Sequence, residues 1–118
     1  MKNLKPKIEK VLVKTINDYF EGTYKAYMED NKVMVTPDTV DPDFNKYGPE
    51  EWFFVPEYDH EEAYCFMCDG GHGWDLVNPC EADYPSYDFE EELNKNFKKA
   101  GLFSEPYASW RHDVKEEA

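Results

Sequence analysis

Near the start of the chain, Ile8, Val11, Leu12, Ile16, Tyr19 and Phe20 recur at three- and four-residue steps, and Lys7, Lys10, Lys14, Asn17 and Asp18 fill the intervening positions. This spacing is the apolar stripe of an α-helix. Pro6 suits a first turn, where its missing N–H has no partner to lose, and Gly22 suits the end, so the pattern predicts a helix over residues 6–21. Thr23–Met28 and Lys32–Val35 read as two short strands joined at Glu29-Asp30-Asn31, because Asp and Asn tolerate the positive φ of a tight hairpin. Residues 36–51 hold Pro37, Pro42 and Pro49 and show no period, so they read as a long loop.

Trp52-Phe53-Phe54-Val55 reads as an apolar strand stopped by Pro56. Ala63–Cys68 reads as another and Trp74–Val77 as a third, with Asp69-Gly70-Gly71-His72-Gly73 as the turn between them. A second helix is predicted over residues 88–100. Asp88 is placed to cap it with Glu91 three residues on, Phe89, Leu93 and Phe97 line one side, and Gly101 ends it. Glu90, Glu91 and Glu92 at its start and Lys95, Lys98 and Lys99 toward its end complement the helix dipole. Leu102–Ala118 reads as a tail in which Phe103, Tyr107 and Trp110 pack before the charged end frays. The expected class is α+β: a small antiparallel sheet of three to five strands with an N-terminal helix and a C-terminal helix.

The 118 residues are 41% hydrophobic and 17% aromatic, enough for one core, and residues 1–118 read as a single acidic domain. No apolar run approaches the roughly 20 residues that span a bilayer. The basic start is followed by Glu9, Lys10 and Lys14, which interrupt any export segment. With three cysteines, a disulfide framework is not expected, and the reading is a reducing cytoplasm.

Charge changes the picture most. The formal net charge is −13, but residues 1–35 balance at +2 and residues 93–118 at +1, while residues 36–92 carry Lys46 alone against seventeen acids, a balance of −16. Such a field repels DNA, RNA and anionic membranes, and it attracts basic surfaces. The basic start (Lys2, Lys5, Lys7, Lys10, Lys14) reads as balance for this acidic body rather than as a membrane or RNA contact.

Two constellations bear on chemistry. Cys65, Cys68, His72 and Cys80 fall in sixteen residues, and a Cys3His set satisfies tetrahedral zinc. The spacing is similar to that of retroviral-type zinc knuckles, but it departs in the intervals of three and seven residues around His72 and lacks basic residues. In a strand, however, Cys65 and Cys68 point to opposite faces and cannot share an ion. The expectation is no cofactor, with zinc as the alternative. Cys65 or Cys68 with His72 is also a candidate nucleophile pair. The chain has no Gly-x-Ser-x-Gly elbow and no phosphate-cradling glycine loop, and an enzyme is not expected.

The acidic middle is the third candidate. Asp38, Asp41, Asp43, Glu50, Glu51, Trp52, Glu57, Tyr58, Asp59, Glu61 and Glu62 interleave carboxylates with aromatics and form the expected partner-binding set. Carboxylates spread over a folded surface reproduce the charge pattern of duplex phosphates, and exposed Tyr and Trp add rigid contact area. By composition the chain resembles the acidic inhibitors that phages and mobile elements direct against CRISPR effectors and restriction enzymes. That resemblance implies a non-enzymatic DNA mimic with a basic, nucleic-acid-binding protein as partner. The alternatives are an immunity protein against a nuclease toxin, a small zinc-stabilised module, and a solvated face that only aids solubility.

Overall fold

The computed structural model describes residues 3–38, 49–57, 64–68, 71–78 and 88–117. In chain order these form α1 (Lys5–Tyr19), β1 (Tyr24–Glu29), β2 (Lys32–Pro37), β3 (Glu50–Phe54), β4 (Tyr64–Met67), α2 (Gly71–Val77), α3 (Asp88–Lys99), β5 (Leu102–Ala108) and β6 (Arg111–Glu116). The strands make one antiparallel sheet in the order β1-β2-β3-β4-β6-β5.

The two long helices fall where the apolar stripes place them. Ile8, Leu12 and Ile16 of α1 and Phe89, Leu93 and Phe97 of α3 are buried in one hydrophobic cluster with the sheet. The end of α1 is closed by the Phe20 N–H, which donates to the Ile16 carbonyl at 2.9 Å, and the chain then turns through Gly22 at φ +84°. Gly101 at φ +76° follows α3 in the same role. Asp30 and Asn31 take φ values of 48° and 69°, the paired left-handed turn of a tight hairpin, and set the β1–β2 register from Glu29↔Lys32 to Tyr24↔Pro37.

The sheet has six strands among the described residues, not three to five. Two segments account for most of the difference. Trp74–Val77 is not a strand: it belongs to α2, and Gly71, His72 and Gly73 open that helix rather than a hairpin turn. Glycine, tryptophan and valine are poor helix formers, so tertiary packing overrides propensity here. Gly73, Leu76 and Val77 are buried, and a Cβ on Gly73 would stand 2.0 Å from the carbonyl oxygen of Trp52. Only a glycine lets α2 lie that close to the β3 backbone.

Residues 102–116, expected as part of a tail packed through its aromatics, form the β5–β6 hairpin instead, so α3 is not the last element. β6 is an inner strand between β4 and β5. Its buried residues are Arg111, His112 and Val114, a pattern that does not read as an apolar strand. The His112 ring stacks on Phe66 (5.0 Å, 8°), which in turn faces Phe97 of α3 at 5.9 Å, so a histidine occupies a core position. On the other face Arg111 Nε donates to Asp113 Oδ1 at 2.8 Å, which pairs the buried guanidinium.

The register of β3 shifts against β2 between Val33 and Met34, so Trp52 is the extra residue of a bulge. The bulge lets consecutive residues Trp52 and Phe53 both face the core. At the sheet edges, Asn17 of α1 grips both backbone groups of Ala26 in β1: its Oδ1 accepts from the Ala26 N–H at 2.7 Å and its Nδ2 donates to the Ala26 carbonyl at 3.3 Å. β5 carries Pro106 and a register shift before Ala108. No helix among the described residues is long and apolar enough to cross a membrane.

Candidate partner-binding surface

Four of the expected carboxylates are described, and all four are exposed: Asp38, Glu50, Glu51 and Glu57. The β2–β3 pairing gathers three of them at one end of the sheet. Glu50 lies across from Val35 and Glu51 across from Met34, and Asp38 follows the end of β2, where its N–H donates to the Thr23 carbonyl at 2.9 Å. A strand rise of about 3.3 Å per residue puts Asp38 about 10 Å from Glu50 along the strand direction, and Glu57 follows the other end of β3. Asp41, Asp43, Tyr58, Asp59, Glu61 and Glu62 lie outside the described residues.

Trp52 does not join this surface. It is 2% exposed and sits beneath the carboxylates, with ring centroids 5.6 Å from Phe20, 5.2 Å from Tyr24 and 5.3 Å from His72. The bulge turns it inward, which a sequence pattern of alternation has no means to show. Its Nε1 is buried with no hydrogen-bond partner among the described residues.

A different tryptophan stands at the surface. Among the described residues β3 and β4 pair at Phe54↔Met67, and a cleft of about 420 Å³ lies beside Glu51. Phe54 and Met67 flank it, and Trp110 from the β5–β6 turn closes it, held by the Cys68 N–H, which donates to the Trp110 carbonyl at 2.8 Å. Trp110 is 45% exposed. The cleft therefore combines one carboxylate with an aromatic and thioether wall. The only sequence cue to it was the aromatic pair Tyr107 and Trp110, read as tail packing.

The zinc candidate meets a geometric obstacle. Cys65 lies across from Asp113, while its neighbour Phe66 lies across from His112 on the helix-covered face. Directly opposed residues share a face, so Cys65 is on the far side of the sheet from Phe66. Cys68 belongs to the core cluster on Phe66's side, with Sγ 3.8 Å from the Ser109 carbonyl. His72 is on α2, with Nδ1 3.9 Å from Glu50 Oε2, and Cys80 lies outside the described residues. No group of three or more metal-ligating side chains is found among the described residues. Both Cys65 and Cys68 are buried.

His112 sits in the core, stacked on Phe66. Burial holds its pKa below the ordinary imidazole value, and the neighbouring Asp113 carboxylate opposes that only in part. The chain matches no protein-family model, no curated protein and no solved structure.

Proposed function

We propose that this chain is a non-enzymatic acidic binding protein that docks on a basic, nucleic-acid-binding partner and competes with nucleic acid for it. An inhibitor of a nuclease, of the kind phages and mobile elements direct against CRISPR effectors or restriction enzymes, is the role this chemistry serves. The observation that carries the reading is the placement of exposed Glu51 beside the Phe54–Met67–Trp110 cleft. A Lys or Arg side chain has an aliphatic stem and a charged head, and that cleft offers an apolar wall for the one and a carboxylate for the other. Trp110 adds a cation–π face for the same head group.

The rest of the field supports it. The balance of −16 over residues 36–92 speeds encounter with a basic surface and keeps polyanions away. Exposed Tyr107 and Trp110 are the residue types that dominate contact energy once the charges have steered the partners together.

The test is affinity capture from the native cell on the wild-type chain and, in parallel, on Glu50→Lys/Glu51→Lys bait, with mass spectrometry of the eluates. A basic nucleic-acid-binding protein held by the first bait, lost from the second and displaced by added DNA is the expected result. Its retention should fall steeply as salt shortens the Debye length below about 8 Å. A partner held equally by both baits, insensitive to salt and DNA, overturns the reading. A nuclease toxin in the eluate would assign the same surface to immunity instead.

A further inference from the structure

The helical layer gathers charges of one sign at each of its ends. α1 and α3 run antiparallel, joined at their middles where Asn96 Nδ2 donates to Thr15 Oγ1 at 2.9 Å. At one end, Lys7, Lys10 and Lys14 from α1 and Lys99 from α3 surround a depression of about 320 Å³ floored by Val11 and Ala100. At the other, Asp18 from α1 and Asp88, Glu91 and Glu92 from α3 surround one of about 440 Å³. Asn96 borders both depressions.

α3 explains only half of this. Its acids are at its start and its lysines at its end, as its dipole favours. α1 runs the other way: its first turn has no acid and its last turn no base, and Lys7 and Lys10 precede Asp18. Laid antiparallel, the two helices bring lysine beside lysine and carboxylate beside carboxylate. Lys14 pairs with Asp18 and Lys95 with Glu92, while Lys7, Lys10, Lys99 and Glu91 make no ion pair among the described residues. Like charges so placed repel, and the arrangement gains only when opposite charge is brought to each end.

We infer that the α1–α3 face is the interface of a two-fold symmetric homodimer in which the basic end of each copy docks on the acidic end of the other. A two-fold axis lying in the plane of the interface and crossing the helices near Asn96 sets the basic end of one copy over the acidic end of the other. Both complementary contacts then form at once, and the assembly closes as a pair. A second copy fits this face better than a polyanion does. The acidic half of the layer repels nucleic acid, whereas a second copy meets each patch with its opposite. The interface uses neither Glu50 nor Glu51, so it stands apart from the proposed partner surface.

Sedimentation velocity on the full chain over a concentration series tests this. The wild type should show a species of twice 14.0 kDa. The variant Lys7→Glu/Lys10→Glu/Lys99→Glu has two acidic ends, and Asp18→Lys/Glu91→Lys/Glu92→Lys has two basic ends. Each alone should be monomeric, its dissociation constant raised by about tenfold or more as close pairs turn repulsive. An equimolar mixture of the two should recover the double-mass species as a heterodimer. Circular dichroism establishes that each variant folds, and the milder Lys7→Gln/Lys10→Gln chain, expected to dimerise more weakly, replaces any that does not. A wild type that is monomeric at every concentration overturns the inference, as does either reversed variant that dimerises alone. A monomer that binds heparin through Lys7 and Lys10 also overturns it, in favour of a polyanion site.

Discussion

Asn96 of α3 donates to Thr15 Oγ1 of α1 at 2.9 Å, and the same hydroxyl donates to the Val11 carbonyl at 2.7 Å, so one buried threonine is bonded on both sides of the helix seam. Removing the hydroxyl alone leaves a buried amide unsatisfied, which costs about 1–3 kcal/mol. Thr15→Val should therefore lower stability by that amount in urea titrations. Adding Asn96→Leu should recover part of the loss, because no polar group is then stranded. Strictly additive losses would show that the bond does not couple the helices.

Gly73 offers a sharper test of packing. A methyl group there collides with the Trp52 carbonyl, which is backbone and unable to rotate away. Gly73→Ala should cost about 1–3 kcal/mol as α2 is pushed off β3, read as a lower thermal midpoint. Gly22→Ala meets no atom within 4 Å and should cost only the left-handed backbone strain of about 1–2 kcal/mol. A Gly73→Ala chain as stable as wild type would mean α2 does not dock this closely.

His112 predicts an acid weakness. The unfolded chain takes up a proton at the ordinary value of about 6.5, while burial against Phe66 keeps the folded ring neutral to lower pH. Stability is thus full above that value and falls as pH drops toward the lower folded value. The difference in urea midpoint between wild type and His112→Phe should shift in the variant's favour between pH 7.5 and pH 5.5. An unchanged difference would place the ring in solvent.

Trp110 separates contact from stability. Trp110→Ala should weaken binding to the partner captured by the wild-type chain by about tenfold, the usual effect of truncating an aromatic hot spot. Its half-exposed ring should leave the unfolding midpoint nearly unchanged. Equal losses of both would make it a core residue.

The cysteines predict indifference to chelators. With Cys65 and Cys68 on opposite faces of the sheet, EDTA should leave the unfolding midpoint unmoved. Stoichiometric zinc in the purified chain, together with unfolding on chelation, would contradict this.

How far the sequence was legible depended on where each signal lives. Ile8, Leu12 and Ile16, and Phe89, Leu93 and Phe97, repeat with the period of a helix, and their helices lie within two residues of the expected bounds. Asp30 and Asn31 carry their turn chemistry locally, and the hairpin is where they put it. β6 was hidden because a strand buried through Arg111 and His112 does not look apolar. α2 was hidden because its cause is a distant carbonyl, that of Trp52, and not its own propensity. The same holds for the surface. The exposure of Glu50 and Glu51 follows from their charge, but the inward turn of Trp52 follows from a bulge, which is not written in a short window.

The two ends of the sheet have a consequence for how this aromatic-rich chain behaves when crowded. An unprotected outer strand is a template on which further chains add, strand by strand, into fibres. Here the β1 rim is stoppered by the Asn17 amide, which occupies both hydrogen-bonding groups of Ala26. The β5 rim is broken by Pro106, which has no hydrogen to donate, and by the irregularity beside it. With nine tyrosines, eight phenylalanines and three tryptophans in 118 residues, the chain has ample material for runaway stacking. Interrupting each rim shifts its encounters toward side-chain faces, where charge selects what is allowed to touch.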